Sequence, residues 1–474
     1  MRVAFVADPS SPHTRPWVEA FAERGHEVFL FSPHKRPPPQ DLPGRIAAPL
    51  AGSLSGRIAA PLAGSLSGRT AAPLAGALPG EATAESASHP RGRRAWRDPG
   101  KLRAITRALR LVPAFRRWLA QTHPDRLVAL RFQPEGYLAS WGGLRPYAIM
   151  SWGQDVLRFA RVHPLHRLIC RKAARRAALL IGETEPVVAA LRGLAGADAL
   201  LAGERTQGIR PPVRIELGWT GIDTAFWRPP AAGERAAARG ALAAAHSSWR
   251  PWLERAEAGE PLLLSPRSVD RHGHQRELIL ALARLVGRGR AAAGDDPAPG
   301  LSGGAGASGA GAPPANCPLP ILLQLGAGDP GERGACARLV ERLGLGDRVH
   351  RLGVIGGDDL RRLYWVSDVA ASLWSPDGLS QALLQALACG LTPVAADIPG
   401  NAAWLEEGRA GLLADPRDVE ELAARLAFAL EHPEWRAEAA ARGRGIVTAR
   451  ADRAVEMGRL VELVLAMPDA GGAR

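Results

Sequence analysis

Residues 369–397 read VAASLWSPDGLSQALLQALACGLTPVAAD, and this stretch indicates the class of fold. The apolar run VAASLW is followed by a turn at Asp377 and Gly378, and then by QALLQALA, which has the composition of a helix. A second apolar run, TPVAAD, follows at once. A strand, a helix and a strand in this order form a parallel βαβ unit, so the stretch predicts an α/β domain.

The same alternation covers most of the chain. The apolar runs before residue 229 are VAFVA (3–7), EVFLFS (27–32), RLVAL (126–130), YAIMSW (147–152) and ALLIGE (178–183), and those after it begin with PLLLSP (261–266), PILLQLG (320–326) and VHRLG (349–353). Each set suits one parallel sheet. We therefore predict two Rossmann-like α/β domains that face a cleft, over 1–228 and 229–445, and a C-terminal helix in 446–474 that packs back toward the first domain.

Two segments of low complexity interrupt this pattern. The unit GRIAAPLAGSLS begins at Gly44, recurs at Gly56 and is degraded from Gly68, while residues 287–317 are rich in Gly, Ala and Pro. Such compositions bury too little apolar surface to offset the entropy of ordering. We predict surface insertions at about 44–92 and at 287–317.

Length and composition limit the function classes. A chain of 474 residues suits two or three domains, and 46% hydrophobic with 23% charged residues is typical of a globular protein. The net charge is +13, but the only lysines are Lys35, Lys101 and Lys172, so a skew toward arginine explains the charge without a nucleic-acid partner. Four scattered cysteines and the absence of a long apolar run predict a cytoplasmic protein.

The loop after VAASLW is the first candidate site, because parallel sheets bind ligands beyond the carboxyl ends of their strands. The first amides of the QALLQALA helix point back at Asp377 and Gly378, and a helix start of this kind can hold a diphosphate. Asp377 could equally be a plain helix cap.

The stretch resembles the signature of the group 1 retaining glycosyltransferases, in which two glutamates eight residues apart precede a helix and an A-x-G-x-P-V-V turn. Asp377 and Gln385 occupy the two acidic positions. Further resemblances, in the family's order, are AFAERGHEVFLFSP (20–33), SWGQD (151–155), GIDTAFWRP (221–229), SPRSVDRHG (265–273) and GNAAWLEEGRAGLLADPRDVEELA (400–423). The resemblance implies the GT-B architecture and retaining transfer of a sugar, without a bound metal or cofactor, from a UDP- or GDP-linked donor to a glycan, glycolipid or small molecule.

The resemblance also implies roles for individual residues. Arg267 and His272, which replaces the family's lysine, would assist departure of the diphosphate, and Asp377 would hold hydroxyls of the sugar. The donor-binding residues would be Gly378, Leu379, Ser380, Gln385, Val354 and Gly326. His13, Trp152 and Asp155 would lie on the acceptor side of the cleft. Because Asp, Gln and His replace Glu, Glu and Lys, a degenerate homologue that acts as a binding or scaffolding partner is the alternative function.

Three other patterns have competing interpretations. GAGDPG (326–331), with Asp347 downstream, fits a dinucleotide site as well as the family's G-x-G turn. His163, His166 and Cys170 could share a helix face as metal ligands, but no acidic residue or second cysteine completes the set, which favours packing and surface roles. In KLRAITRALRLVPAFRRW (101–118), Leu102, Ile105, Leu109 and Val112 alternate with arginines, which suits a core-facing helix and also contact with an anionic membrane.

Overall fold

The computed structural model of the chain describes residues 1–11, 13–34, 42, 45–47, 99–160, 163–196, 213–292, 319–375 and 378–469. These residues form two compact units, which divide after Gly221 and again after Arg450, so that the chain's end from Ala451 belongs to the first unit. The sequence predicts limits at 228 and 445. The segment just after Gly221 belongs to the second unit because Arg444 donates hydrogen bonds to the carbonyls of Thr224 and Trp227, over 2.9 and 2.7 Å.

The first unit is built on a parallel sheet of order β3-β2-β1-β4-β5-β6-β7. Its strands are β1 (Arg2–Val6), β2 (Glu27–Phe31), β3 (Arg45–Ala47), β4 (Arg126–Leu130), β5 (Tyr147–Ser151), β6 (Leu179–Gly182) and β7 (Arg214–Leu217). Its first helices are α1 (Thr14–Ala22), α2 (Pro99–Thr122), α3 (Tyr137–Gly142), α4 (Pro164–Arg176) and α5 (Glu185–Ala195). Irregular helical turns, Phe132–Gly136 and Asp155–Phe159, follow β4 and β5.

The second unit has a parallel sheet of order β10-β9-β8-β11-β12-β13. Its strands are β8 (Leu262–Ser265), β9 (Ile321–Leu325), β10 (Val349–Gly353), β11 (Val369–Ser372), β12 (Thr392–Ala396) and β13 (Leu412–Ala414). Its helices are α6 (Glu234–Ala245), α7 (Arg250–Glu257), α8 (Gln275–Ala292), α9 (Pro330–Arg342), α10 (Gly357–Val366), α11 (Gln381–Ala388), α12 (Pro399–Leu405), α13 (Val419–Glu431) and α14 (Pro433–Arg450).

A last helix, α15 (Arg453–Leu465), belongs to the first unit. Its Met457, Leu460 and Val464 join the core that Trp17 and Phe21 of α1 form on one face of the sheet. Helices α2 to α5 cover the other face around Phe115 and neighbouring apolar side chains. Since both faces of the sheet are covered, its central strands consist mostly of apolar residues, as expected for a parallel sheet.

The structure differs from the sequence predictions at both insertions. Residues 45–47 form β3, which pairs with β2 at the edge of the sheet, although they lie inside the segment assigned to the repeat. The predicted second insertion starts at residue 287, whereas helix α8 continues to Ala292, beyond the end of the apolar pattern. The rest of both insertions, 48–92 and 293–317, lies outside the described residues.

Helix α2 combines a buried and an exposed side. Ile105, Ala108 and Phe115 are buried, whereas Leu109 is 54% exposed, so Leu109 does not face the core as its spacing suggests. The buried positions are three and seven residues apart, as one face of a helix requires. This face includes Ala108, the residue before Leu109, and leaves Leu109 outside it. Among the described residues, no helix is long and apolar enough to cross a bilayer.

Candidate functional site

The loops at the carboxyl ends of β8, β9 and β11 converge in the second unit. These strands are neighbours in a parallel sheet, so the loops that follow them lie side by side at the carboxyl-terminal end of the sheet. Most of the donor-binding residues predicted from sequence lie in these loops.

Arg267, which follows β8, contacts the start of α11. Its Nη1 donates a hydrogen bond to Ser380 Oγ over 3.0 Å, and its guanidinium lies 4.6 Å from the centre of the Trp374 ring. Ser380 is the N-cap of α11, since its side chain accepts a hydrogen bond from the Leu383 amide. The contacts place a fixed positive charge beside the amides of a helix start, where the helix dipole also favours an anion.

His272 belongs to the same group of side chains. Its ring centre lies 6.2 Å from that of Trp374, its carbonyl accepts a hydrogen bond from the Ser375 amide over 2.9 Å, and its amide donates to Asp270. The structure therefore joins the loop after β8 to the loop after β11. Asp377, the predicted sugar-binding acid, lies outside the described residues, and the next two residues in the chain, Gly378 and Leu379, are buried.

The G-x-G turn after β9 supports the loop that carries Arg267. Gly326 and Gly328 have positive φ values of 86° and 67°, and a Cβ on Gly328 would collide with the Val269 carbonyl. The Asp329 amide donates to that carbonyl over 2.9 Å. Only glycine permits both this backbone conformation and this approach, so the two glycines serve packing between loops.

A buried hydrogen-bonded network lies beneath these loops, and sequence reasoning missed it. Gln275 Nε2 donates to Ser265 Oγ over 2.8 Å and to the Gly273 carbonyl over 3.1 Å, while Gln324 Nε2 donates to Gln275 Oε1 over 2.9 Å. Polar residues at strand ends are the only sequence signal for it. The network fixes the end of the loop that carries His272.

Gln385 and Val354 lie at the margins of this group. Gln385 Oε1 accepts a hydrogen bond from the Tyr364 hydroxyl over 3.1 Å, and burial raises the pKa of Tyr364 well above its usual value, so this hydroxyl stays a donor. Val354 directly follows β10 and is 70% exposed. An exposed apolar side chain at a strand end is available to a flat apolar group.

The first unit carries a second group of side chains at the carboxyl ends of β1, β4 and β5. The rings of His13 and Trp152 are 4.5 Å apart between centres, and the Arg131 guanidinium lies 5.3 Å from the Trp152 ring centre. Arg131 has φ 124° and ψ 166°, a region that residues other than glycine rarely adopt. Backbone strain of this kind costs about 1–3 kcal/mol and concentrates at functional sites.

Asp155 supports this group from below. It is 3% exposed, accepts a hydrogen bond from Ser151 Oγ over 2.6 Å and another from the Phe132 amide over 3.0 Å. Burial raises its pKa above the usual value despite these bonds. The structure shows that Asp155 ties the turn after β4 to the turn after β5.

Sequence reasoning also missed Glu135 and His34. Glu135 is fully buried, and its Oε1 lies 2.8 Å from His34 Nε2 and 3.4 Å from Arg131 Nη2. These residues come from the loops after β2 and β4 and share no spacing along the chain, so no motif could have revealed them.

The geometry disfavours both the dinucleotide site and the metal site. Asp347 precedes β10, whereas the G-x-G turn follows β9. Because the two strands are parallel, Asp347 and the turn lie at opposite ends of the sheet, so Asp347 cannot bind a ribose at that turn. His163 caps α4 by accepting from the Leu165 amide, and Tyr137 contacts both other candidates, with its hydroxyl 2.6 Å from His166 and 3.6 Å from Cys170. Protein groups therefore engage all three proposed ligands.

Part of the chain matches a known family. Residues 321–432 match the family model described as "Glycosyl transferases group 1". The chain is also similar to the O-antigen chain mannosyltransferase B of Escherichia coli, with 31% identity over 106 residues. This similarity spans 22% of the chain and 27% of the length of that relative.

Solved structures show similarity over nearly the whole chain. Sucrose-phosphate synthase from Thermosynechococcus elongatus matches with a TM-score of 0.63 and 19% identity, covering 99% of this chain and 100% of that one. Anabaena HepE, solved in complex with UDP and glucose, matches with a TM-score of 0.63 and 16% identity, covering 98% and 100%. The second unit therefore contains a segment that matches the group 1 glycosyl transferases, and the chain has the GT-B fold.

Proposed function

We propose that the chain transfers a glycosyl group from a nucleoside-diphosphate sugar to a hydroxyl-bearing acceptor, with retention of anomeric configuration. The observation that carries this proposal is the hydrogen bond between Arg267 and Ser380 at the start of α11. Glycosyl transfer from such a donor develops negative charge on the departing diphosphate, and a guanidinium beside helix amides stabilises that charge.

The donor contacts follow from the same arrangement. Arg267, His272 and the amides of 378–380 would neutralise the diphosphate without a metal ion. Asp377 would hold hydroxyls of the transferred sugar, Gln385 would bind the ribose and Val354 would contact the base. Gln385 Oε1 lies 3.1 Å from the Tyr364 hydroxyl and keeps a second lone pair, so Gln385 can accept from a ribose hydroxyl as well as donate to one.

The similar proteins suggest two kinds of donor. The E. coli relative is a mannosyltransferase by name, and HepE was solved with UDP and glucose. The donor would accordingly be UDP- or GDP-linked, and the acceptor a glycan, glycolipid or small molecule bound near His13 and Trp152 in the first unit.

Incubation of the purified chain with UDP- and GDP-linked hexoses tests this function. We expect release of one nucleoside diphosphate, and with an acceptor present proton NMR should show the donor's anomeric configuration in the product. A chain that binds nucleoside diphosphates but cleaves no donor, with or without acceptor, would be a non-catalytic homologue.

We further propose that this cytoplasmic enzyme makes peripheral contact with an anionic membrane. Neither α2 nor α4 contains an acidic residue, and Leu109, Leu165 and Leu168 are 54%, 39% and 63% exposed on them. Basic helices with exposed leucines bind anionic bilayers through charge and apolar insertion. Vesicles containing phosphatidylglycerol should retain the chain in sedimentation, vesicles of phosphatidylcholine should not, and Leu168→Ser should weaken retention; equal retention by both would contradict the contact.

A further inference from the structure

The guanidinium of Arg267 is held by a hydrogen bond at its edge and by an aromatic ring on its face. Its Nη1 donates to Ser380 Oγ over 3.0 Å, and its Cζ lies 4.6 Å from the centre of the Trp374 ring. A planar group that is held at one edge can still rotate about that contact. The second contact, on the face, fixes the plane of the guanidinium.

The partner at the edge is itself fixed. Ser380 is 2% exposed, and its Oγ accepts a hydrogen bond from the Leu383 amide at the start of α11. The same oxygen lies 3.3 Å from Ser372 Oγ, at the end of β11. The edge of the Arg267 guanidinium is therefore anchored to a helix start and, through it, to a strand end.

The partner on the face, Trp374, lies between two anchored residues. Leu373 is 1% exposed and belongs to the core of the second unit, whereas Trp374 is half-buried. On the other side, the Ser375 amide donates to the His272 carbonyl over 2.9 Å, which ties this loop to the one that carries Arg267. The backbone on both sides of Trp374 thus holds its ring against the guanidinium.

The ring uses none of the hydrogen-bonding capacity of Arg267. A guanidinium has five N–H donors, all in its plane, so a ring on its face attracts the cation without engaging a donor. Arginine binds phosphate best through parallel hydrogen bonds in that plane. A side chain that is ordered before the ligand arrives also reduces the entropy cost of binding. Trp374 therefore favours diphosphate binding through the orientation of Arg267.

We propose that Trp374 is a positioning residue, which sets the plane of the Arg267 guanidinium for the diphosphate of the donor. The proposal rests on the proposed function, because that function assigns the diphosphate to Arg267. Trp374 acts through Arg267 and needs no contact of its own with the donor. The effects of changing the two residues must therefore depend on each other.

Isothermal titration calorimetry of UDP and GDP against the parent, Trp374→Leu and Trp374→Phe tests this role. We expect Trp374→Leu to weaken binding of the preferred diphosphate by about threefold to tenfold, as loss of a partly exposed cation–π contact would. Trp374→Phe keeps an aromatic face and should bind within about twofold of the parent. Trp374→Met is a large apolar side chain without a ring, and it carries the test if Trp374→Leu does not fold.

A double-mutant cycle separates positioning from general damage to the site. In an Arg267→Ala background, Trp374→Leu should change diphosphate affinity by less than about twofold, because the group on which the ring acts is gone. Trp435→Leu is the matched control, since it makes the same change at a half-buried tryptophan of α14 in the same unit. This control should bind the diphosphate as the parent does.

The positioning role is overturned if Trp374→Leu binds as the parent does, or if it causes the same loss with and without Arg267. It is also overturned if Trp374→Phe binds as weakly as Trp374→Leu. In each of these cases, diphosphate binding by the parent leaves the donor site standing. A parent that binds neither UDP nor GDP contradicts the donor site itself, and with it the role of Trp374.

Discussion

Arg267 Nη1 and Ser380 Oγ are 3.0 Å apart, although 113 positions separate the two residues in the chain. This bond joins the loop after β8 to the helix start after β11. Around it lie the G-x-G turn after β9 and the Trp374 ring, so three strand ends contribute to the place at which we propose that the diphosphate binds.

Gly328 tests whether packing between these loops maintains the arrangement. Gly328→Ala introduces a Cβ that collides with the Val269 carbonyl at φ 67°, so the loop carrying Arg267 must shift. We expect a lower melting temperature and nucleoside diphosphate binding weakened by about tenfold or more. Gly334→Ala is the matched control. Its methyl group would lie within α9, 3.4 Å from the end of the flexible Arg338 side chain, which is an ordinary contact. A glycine-to-alanine change within a helix stabilises by about 0.4–1 kcal/mol. Equal affinity in parent and Gly328→Ala would show that the turn does not position the site.

Asp377 and Gln385 are expected to act at different steps. Asp377→Asn should lower donor turnover by about 100-fold with little change in nucleotide affinity. The reason is that the carboxylate would contact the transferring sugar, so replacing it with a neutral amide weakens stabilisation of the transition state. Gln385→Glu should change nucleotide affinity by less than about tenfold and preserve turnover, because a carboxylate strengthens a hydrogen bond accepted from a ribose hydroxyl but is repelled by the nearby diphosphate. Steady-state kinetics of donor hydrolysis measure both. Unchanged turnover in Asp377→Asn would rule out the role assigned to this carboxylate.

Asp155 should make the stability of the protein depend on pH. Burial raises its pKa in the folded chain above that of the unfolded chain, so between the two pKa values the folded state holds more protons. The free energy of unfolding therefore falls as pH rises from the unfolded value, near 4, through the folded one. Asp155→Asn removes this titration, and the difference in unfolding free energy between variant and parent should move in favour of the variant as pH rises. Urea unfolding at pH values from about 4 to 8 measures it; a difference independent of pH would contradict the buried, ionisable state of Asp155.

The repeat should be dispensable except at its first residues. The composition of its proline-interrupted units predicts little burial, and shortening a loop changes closure entropy only modestly. Deletion of 48–80 should leave the melting temperature and nucleotide binding close to those of the parent. Deletion of 44–80 also removes β3, the edge strand paired with β2, and should melt at a lower temperature. If the shorter deletion aggregates, the repeat itself is structural.

The sequence predicts the central strands well because buried parallel strands are continuous apolar runs. RLVAL coincides with β4, and the run YAIMSW contains β5. The edge strands β3, β7 and β13 have three or four residues each, and β7, RIEL, alternates apolar with charged residues, so no apolar run reveals it. At the site, Arg267 and Gly326 follow from local motifs and resemblance. Glu135 and His34 do not, because they meet only when loops after β2 and β4 come together.

Isothermal titration calorimetry of UDP, GDP, UMP and GMP against the parent and Arg267→Ala tests the donor site most directly. The account predicts that one diphosphate binds the parent more tightly than its monophosphate, and that Arg267→Ala weakens the diphosphate by about tenfold or more, as loss of a charge-assisted bond worth about 1.5–3 kcal/mol requires. Arg425→Ala, which removes an arginine 48% exposed in an i,i+4 ion pair on α13, should bind as the parent does. Equal diphosphate affinity in the parent and Arg267→Ala would contradict the placement of the diphosphate at the start of α11.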